Sequence, residues 1–285
     1  MDFIKDILKS DPLTRIISFN IIVFFCIHLI ATLLFLFFEI SSDESVFFLQ
    51  QTLGVSSNII VLLQKPWTII TYMFTHFDLF HVIINLFWLY FGGKIFISYI
   101  DSSNLLPTYI MGGFSGAILY ILSFNFLPVF DSIKGESIAI GASASVLAIL
   151  FASATYIPNF SIRTLFIGNI KLKYIALIAL IIDILSIPKG NSGGHIAHIG
   201  GAFYGYLYIH MKNSKKINTN YLIDQIILIF TKKTPYIRKK ENDYQYNARK
   251  REEQKEIDNI LDKISKSGYE SLSNDEKQTL FNQKK

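Results

Sequence analysis

The feature that most constrains this chain is a run of 23 residues, Ile16 to Phe38, without a single charged side chain. As a helix the run would extend roughly 34 Å, which is enough to cross the hydrocarbon core of a bilayer. It is too long for the apolar region of a typical signal peptide, and no clear cleavage site of small residues accompanies it. The run therefore predicts a retained membrane-spanning helix.

Five further apolar segments predict that the chain crosses the membrane six times. They lie at about residues 79–98, 104–124, 138–157, 172–187 and 195–211. Residues 221–230 are too short for a seventh span and predict an amphipathic helix in the membrane interface. We therefore expect an all-α, polytopic membrane protein built as a bundle of six transmembrane helices.

Positive charges are concentrated at the two ends of the chain. Of the 27 Lys and Arg residues, three lie within residues 1–15 and seventeen within residues 212–285. The loops after spans one, three and five hold one lysine each, so the positive-inside rule places both termini in the cytosol. The net charge of +5 then reflects orientation and attraction to anionic lipid. No RNA-binding signature accompanies the basic tail, and no nucleic-acid partner is expected.

These patterns predict three parts: a cytosolic N-terminus at 1–15, a six-span core at 16–211 and a basic cytosolic tail at 212–285. About forty residues separate the first two spans, and their apolar faces predict short helices in the outer membrane interface. In the tail, apolar residues between Ile257 and Ile264 predict a helix, and Ser273 with Glu276 fits a capping box. A helical hairpin is the expected arrangement, with a solvated charged extension as the alternative.

Several polar residues share one depth near the outer ends of the even-numbered spans. Span two carries His81 and Asn85 close to its outer end, and their separation of four residues puts both on one helix face. Span four carries Ser143 close to its outer end, and span six carries His195 and His198. Because polar groups within a membrane are costly, such a convergence predicts a functional site.

Small residues predict that span six packs closely against span four. Gly201 and Gly205 form a small-xxx-small face, and the matching positions in span four are Gly141, Ala144 and Ala148. This packing would bring Ser143 within reach of His198. Ser145 lies about 200° around the helix from Ser143 and is expected to face elsewhere.

These motifs resemble those of the rhomboid family of intramembrane serine proteases. The family's Gly-x-Ser-x motif matches residues 141–144, and its Ala-His-x-x-Gly-x-x-x-Gly motif matches residues 197–205. Its His-x-x-x-Asn pattern matches residues 81–85. Two positions depart from the family: Thr68 follows Trp67 where arginine is frequent, and Leu147 stands where many members have a tyrosine that supports the histidine ring. Leu147 leaves the orientation of the imidazole open.

The resemblance implies a role for each matched residue. Ser143 would be the nucleophile and His198 the general base and then the general acid, without an acidic third member. His81, Asn85 and the Ser143 backbone N–H would stabilise the oxyanion, although a helix–helix hydrogen bond is the alternative for Asn85. Asp183, near the outer end of span five, could be proposed as such a third member, but it is expected to be an interfacial carboxylate. No cofactor is implied, and zinc at His195 and His198 is disfavoured because no further ligand is expected at their level.

The activity implied is cleavage of transmembrane segments of membrane proteins near the outer face, in the lipid bilayer. The resemblance is to the bacterial type of the family, which implies the cell (inner) membrane. The alternative is a non-proteolytic rhomboid-like protein that binds membrane clients, but the presence of both Ser143 and His198 favours the enzyme. A six-span transporter would show inverted repeats or coupled ionisable residues near the midplane, and the sequence shows neither. The sequence indicates no oligomeric state.

Overall fold

The computed structural model of the chain describes residues 10–164, 168–213, 258–268, 271–273 and 276. The chain divides into two compact units, residues 1–227 and 228–285. The first unit contains the predicted core, whose long helices are α1 (Pro12–Phe38), α5 (Leu79–Tyr99), α6 (Leu105–Phe126), α7 (Ser143–Tyr156), α8 (Leu172–Ser186) and α9 (Ser192–Asn213). The prediction of a polytopic helical membrane bundle is confirmed.

The bounds of most of these helices agree with the predicted spans to within a few residues, and local sequence explains where they begin. Asp11 caps α1 by accepting hydrogen bonds from Leu13 N and Thr14 N, with Pro12 at the first helical position. Asp78 caps α5 by accepting from His81 N at 2.6 Å. Both carboxylates satisfy amide groups that would otherwise lack partners at a helix start.

The predicted fourth span, 138–157, begins too early. Ile138–Ala139 form a short strand, β2, that pairs antiparallel with β1 (Val55–Ser56). Gly141 has a φ of +112°, which a right-handed helix does not allow, so α7 begins only at Ser143. The pairing ties the start of α7 to the loop between α1 and α5.

That loop contains short helices, as predicted: α2 (Ser42–Leu53), α3 (Ile59–Gln64) and α4 (Thr68–Thr71), followed by a 3-10 turn at Tyr72–Phe74. Ser41 and Glu44 form a capping box at the start of α2. The sequence did not predict the hairpin of β3 (Ser161–Thr164) and β4 (Gly168–Lys171), which lies between α7 and α8.

Among the residues that the structure describes, three helices are long and apolar enough to cross a membrane by length and composition alone. They are Pro12–Phe38, Leu79–Tyr99 and Ser102–Phe126, which includes the 3-10 turn before α6. Helices α7 and α8 are shorter, with 14 and 15 residues. Helix α7 lies at the centre of the bundle, in contact with α5, α6, α8 and α9.

Glycines set the distances between the central helices. A Cβ on Gly201 would lie 2.0 Å from the Ala144 carbonyl oxygen, and one on Gly205 would lie 2.1 Å from the Ala148 carbonyl oxygen. Side chains larger than hydrogen would therefore separate α9 from α7. The predicted close packing of spans four and six is confirmed at these four positions.

The described part of the tail is helical at 258–267, where the prediction is confirmed. Ser273 N donates to the Glu276 carboxylate, and Glu276 N donates to Ser273 Oγ, as the predicted capping box requires. The Lys263 ammonium forms an ion pair with the Glu276 carboxylate at 2.8 Å. The predicted interfacial helix at 221–230 lies outside the described residues.

Candidate active site

The structure brings Ser143 and His198 together across two helices. Ser143 is the first residue of α7, and His198 lies in the second turn of α9. His198 Nε2 lies 2.6 Å from Ser143 Oγ, which is hydrogen-bonding distance. Ala197 and Gly201 lie on either side of His198 in the motif and are part of the packed face of α9. The contact of Gly201 with Ala144 therefore also sets the separation of the Ser143 and His198 side chains.

Gly141 does not serve the helix packing that its sequence motif predicts. Its N–H donates to the Tyr72 carbonyl oxygen at 2.8 Å, and its φ of +112° favours glycine. A Cβ on Gly141 would lie 2.8 Å from His81 Cε1 rather than against α9. The prediction was wrong because the residue precedes the helix; its conformation turns the chain so that α7 begins at Ser143.

His76 forms a hydrogen bond with Ala142, the next residue of this turn. The ring is fully buried, and its Nε2 accepts a hydrogen bond from Ala142 N at 3.2 Å. Its Nδ1 lies 3.3 Å from the Phe74 carbonyl oxygen, which can only accept, so the proton belongs on Nδ1. Burial, and then the neighbouring His81, lowers the pKa of His76 to about 4. His76 therefore supports the loop as a neutral ring.

The low pKa of His76 predicts a stability that depends on pH. Between the usual value of 6.5 and about 4, the unfolded chain binds a proton that the folded chain does not bind. The contribution of His76 to stability is thus present above pH 6.5 and decreases as the pH falls through this window. We expect the melting temperature of the detergent-solubilised protein to fall less between pH 7 and pH 5 in His76→Gln than in the wild type.

His210, which is exposed on α9, provides the matched control for this measurement. His210→Gln should keep the wild-type dependence of melting temperature on pH. An unchanged dependence in His76→Gln would contradict the assignment of a neutral, buried ring.

The structure places His81 and Asn85 one turn apart on the same face of α5, as predicted, with His81 next to the turn before Ser143. The His81 ring lies edge-on to His76, with 5.1 Å between the ring centroids. The Asn85 side chain is buried and donates one hydrogen bond to the His81 carbonyl oxygen at 3.0 Å. An amide nitrogen carries two hydrogens, so the second donor of Asn85 is not used by this bond.

Asp183 is not an interfacial carboxylate, and that prediction is wrong. Its side chain is buried in the bundle, and its Oδ1 lies 2.7 Å from His198 Nδ1 and 2.8 Å from His195 Nδ1. The expectation of no acidic neighbour for His198 is corrected by the same contact. A signal was present in the sequence, since an acidic residue within an apolar span usually has a specific partner.

Asp183, His195 and His198 also form a group that could hold a metal ion, with one ligand atom from each within 4.8 Å of one another. The expectation that no further ligand lies at the level of His195 and His198 is wrong, because Asp183 lies there. The short distances between the carboxylate oxygen and the two ring nitrogens are those of hydrogen bonds.

Ser145 faces away from this site, as predicted. It is fully buried, and a Cβ on Gly113 of α6 would lie 2.5 Å from Ser145 Oγ. Within the described part of the chain, its hydroxyl has no hydrogen-bond partner. Ser145 thus packs α7 against α6 and does not contact His198.

The fold is that of a multi-pass helical membrane protein, and the serine–imidazole contact at its centre is an arrangement that can activate a nucleophile. Comparison with known proteins assigns the family: the model of the Rhomboid domain matches residues 63–214, and the chain belongs to the rhomboid family. The matched region contains α5 to α9 and all the residues of the candidate site. A second model, of a family of unknown function, matches residues 240–282 of the tail.

Two curated proteins are similar to this chain. RHOMBOID-like protein 12, mitochondrial, from Arabidopsis thaliana is 28% identical over 145 residues, which is 47% of this chain and 43% of the relative. Presenilin-associated rhomboid-like protein A, mitochondrial, from Danio rerio is 28% identical over 142 residues, which is 48% of this chain and 35% of the relative. The chain thus spans less than half the length of each of these relatives.

Proposed function

We propose that this protein is an intramembrane serine endopeptidase that cleaves transmembrane segments of other membrane proteins. The observation that carries the proposal is the distance of 2.6 Å between Ser143 Oγ and His198 Nε2 within a membrane bundle. A serine hydroxyl is a weak nucleophile until a neighbouring base accepts its proton, and an imidazole nitrogen at hydrogen-bonding distance meets this requirement.

The proposed reaction has two halves. As Ser143 Oγ attacks the scissile carbonyl carbon, its proton passes to His198 Nε2, and the carbonyl oxygen becomes an oxyanion. The C–N bond then breaks, and the imidazolium gives the proton to the leaving amine. In the second half, His198 accepts a proton from water, the resulting hydroxide attacks the acyl-enzyme, and the proton returns to Ser143 as the acid product leaves.

The oxyanion needs hydrogen-bond donors, and the candidates lie at the start of α7 and on α5. The Ser143 backbone N–H lies at the start of α7, where amide groups lack partners within the helix. We assign His81 and the second amide hydrogen of Asn85 to the same role, because His81 lies beside the turn that leads into Ser143 and Asn85 lies one helical turn further along α5, where it donates to the His81 carbonyl oxygen. Loss of one such donor typically costs about 10²–10³-fold in turnover.

Hydrolysis also requires water at the site. The side chain of His198 retains 21% of its accessible surface, so the dyad is not sealed within the bundle. A peptide bond in a regular helix is shielded by its own hydrogen bonds, and cleavage needs that backbone to open. We infer that segments with weak helix propensity are the preferred substrates and that they are cut near the outer face.

We place the protein in the cell (inner) membrane because of its resemblance to the bacterial type of the family. Both termini are placed in the cytosol, following the distribution of positive charges. The curated relatives carry the word mitochondrial in their names. Whichever membrane holds the protein, this orientation puts the start of α7 on the side opposite the basic tail. Protease protection of an epitope after Lys285 in sealed vesicles tests the orientation.

A fluorophosphonate probe, which reacts with activated serine hydroxyls, tests the proposed activity in the purified, detergent-solubilised protein. The wild type should be labelled, with the adduct on Ser143, and should cleave a reconstituted model transmembrane segment that contains helix-breaking residues. Ser143→Ala should lose both labelling and cleavage. Ser145→Ala is the matched control, since this neighbouring serine is buried on the other face of α7, and it should retain both.

Two outcomes distinguish the competing functions. Labelling at Ser143 with cleavage of the segment supports the endopeptidase. A folded wild type that is neither labelled nor able to cleave would overturn it in favour of a rhomboid-like protein that binds membrane clients.

A further inference from the structure

Asp183 occupies an unusual position in the bundle. It lies on α8, a helix in which the buried residues are Leu172, Ala176 and Asp183. Much of the rest of α8 is a large apolar surface, as expected for a helix that faces lipid. A carboxylate at a buried position of such a helix is unfavourable unless it is paired and hydrogen-bonded. Packing alone therefore does not explain Asp183.

The partners of Asp183 are the two histidines of α9. Oδ1 lies 2.7 Å from His198 Nδ1 and 2.8 Å from His195 Nδ1. A carboxylate can only accept hydrogen bonds, so each of the two Nδ1 atoms must carry a proton. The two donors together compensate for burying the charge, and they join α8 to α9.

This contact determines what His198 can do at its other nitrogen. With the proton on Nδ1, the neutral ring has a lone pair on Nε2, the atom 2.6 Å from Ser143 Oγ. The alternative tautomer would place an N–H against the serine oxygen and could not accept its proton. Within the described residues, the hydrogen bonds of the His198 ring are those to Asp183 and Ser143.

We propose that Asp183 is a positioning residue that holds the His198 imidazole in the orientation and tautomer required for general base catalysis, so that residues of α7, α8 and α9 act as a Ser143–His198–Asp183 triad. This inference rests on the proposed function. His195 donates to the same oxygen and stabilises the carboxylate, but within the described residues it has no hydrogen bond to Ser143. The triad also makes the catalytic geometry depend on the position of α8.

The test compares Asp183→Asn with Asp183→Ala. The asparagine side chain has nearly the same size and preserves packing, but its amide can present an N–H to Nδ1 and so favour the unproductive tautomer. We expect kcat to fall by about 10- to 10³-fold in both variants, with Asn at least as damaging as Ala, and KM to stay within about threefold. A purely structural role would reverse this order, since Asn would then be nearly harmless and Ala would lower the melting temperature.

Asp101→Asn is the matched control for the change from carboxylate to amide. Asp101 accepts hydrogen bonds from Ser103 and Asn104 at the turn between α5 and α6, outside the site, and its replacement should leave kcat unchanged. All assays are repeated in EDTA and after addition of zinc. Retained activity in EDTA supports the hydrogen-bonded triad, whereas a loss that zinc restores would replace it with a metal centre at the same three residues.

A measurement on the wild type keeps the proposal testable if the variants fold poorly. In protein labelled with ¹⁵N-histidine, the signals of His198 are identified by their loss in His198→Gln, and the shifts of the two ring nitrogens report which one carries the proton. A neutral ring protonated on Nδ1 is expected, and an Nε2-protonated ring would overturn the proposal. If the wild type is labelled by fluorophosphonate and a folded Asp183→Asn keeps the wild-type kcat, the positioning role alone is refuted. If the wild type is not labelled, the proposed function itself is refuted.

Discussion

Replacing His198 by alanine is expected to lower kcat for cleavage of a transmembrane segment by at least about 10³-fold. The imidazole is the group at 2.6 Å from Ser143 Oγ, and without it the hydroxyl proton has no base to receive it. The reaction of Ser143 with a fluorophosphonate probe should slow in parallel, because both reactions need the same activated oxygen. Rates are measured on the purified protein in proteoliposomes, with kcat and KM determined separately.

His195→Ala is the control for this experiment. His195 lies one turn from His198, has the same side chain and contacts the same carboxylate oxygen, but within the described residues it has no hydrogen bond to Ser143. Its replacement leaves the Asp183–His198 contact in place, so kcat should stay within about tenfold of the wild type. Equal losses in the two variants would contradict the assignment of His198 as the base.

The helical part of the fold could be predicted because the bilayer imposes simple requirements. A span needs a long apolar run, and the run 16–38 and the segment 79–98 reappear as α1 and α5 with small changes at their ends. The start of span four could not be read in this way. Residues 138–140 are apolar like the helix that follows, and only pairing with Val55–Ser56 and the positive φ of Gly141 separate them from it.

The residues of the site were predictable to the extent that the motifs carry them. Ser143, His198, Gly201 and Gly205 lie together as their spacing and small side chains indicate. The sequence did not decide whether Asp183 contacts His198 or lies at the interface, because this depends on the rotation of α8 about its axis. Most faces of α8 carry apolar side chains. The sequence therefore does not distinguish a buried position on this helix from a position at the membrane interface. The structure answers the question raised by Leu147: the His198 ring is held by a carboxylate on α8.

Replacing Gly201 by alanine is expected to lower both stability and activity, because the new methyl group has no space. Its carbon would lie 2.0 Å from the Ala144 carbonyl oxygen and 2.7 Å from the Ala144 carbonyl carbon, and backbone atoms cannot rotate away as a side chain can. Overpacking of this kind costs about 1–3 kcal/mol in soluble cores. Helix α9 must move away from α7, and a displacement of about 1 Å at the dyad can cost about 10²-fold in kcat.

Gly92→Ala separates this steric effect from the general effect of replacing a glycine in a membrane helix. A Cβ on Gly92 of α5 would lie 3.6 Å from Ile149 Cγ2 and 3.7 Å from the Leu150 backbone, which is ordinary van der Waals contact. Alanine also restricts the unfolded chain more than glycine, so Gly92→Ala should be neutral or slightly stabilising in a thermal melt and should retain kcat. If Gly201→Ala behaved in the same way, the close contact of α7 with α9 would not be what sets the distance between Ser143 and His198. If Gly201→Ala lost kcat but kept its melting temperature, α9 would have shifted without unfolding. Activity would then be more sensitive than stability to the spacing between α7 and α9.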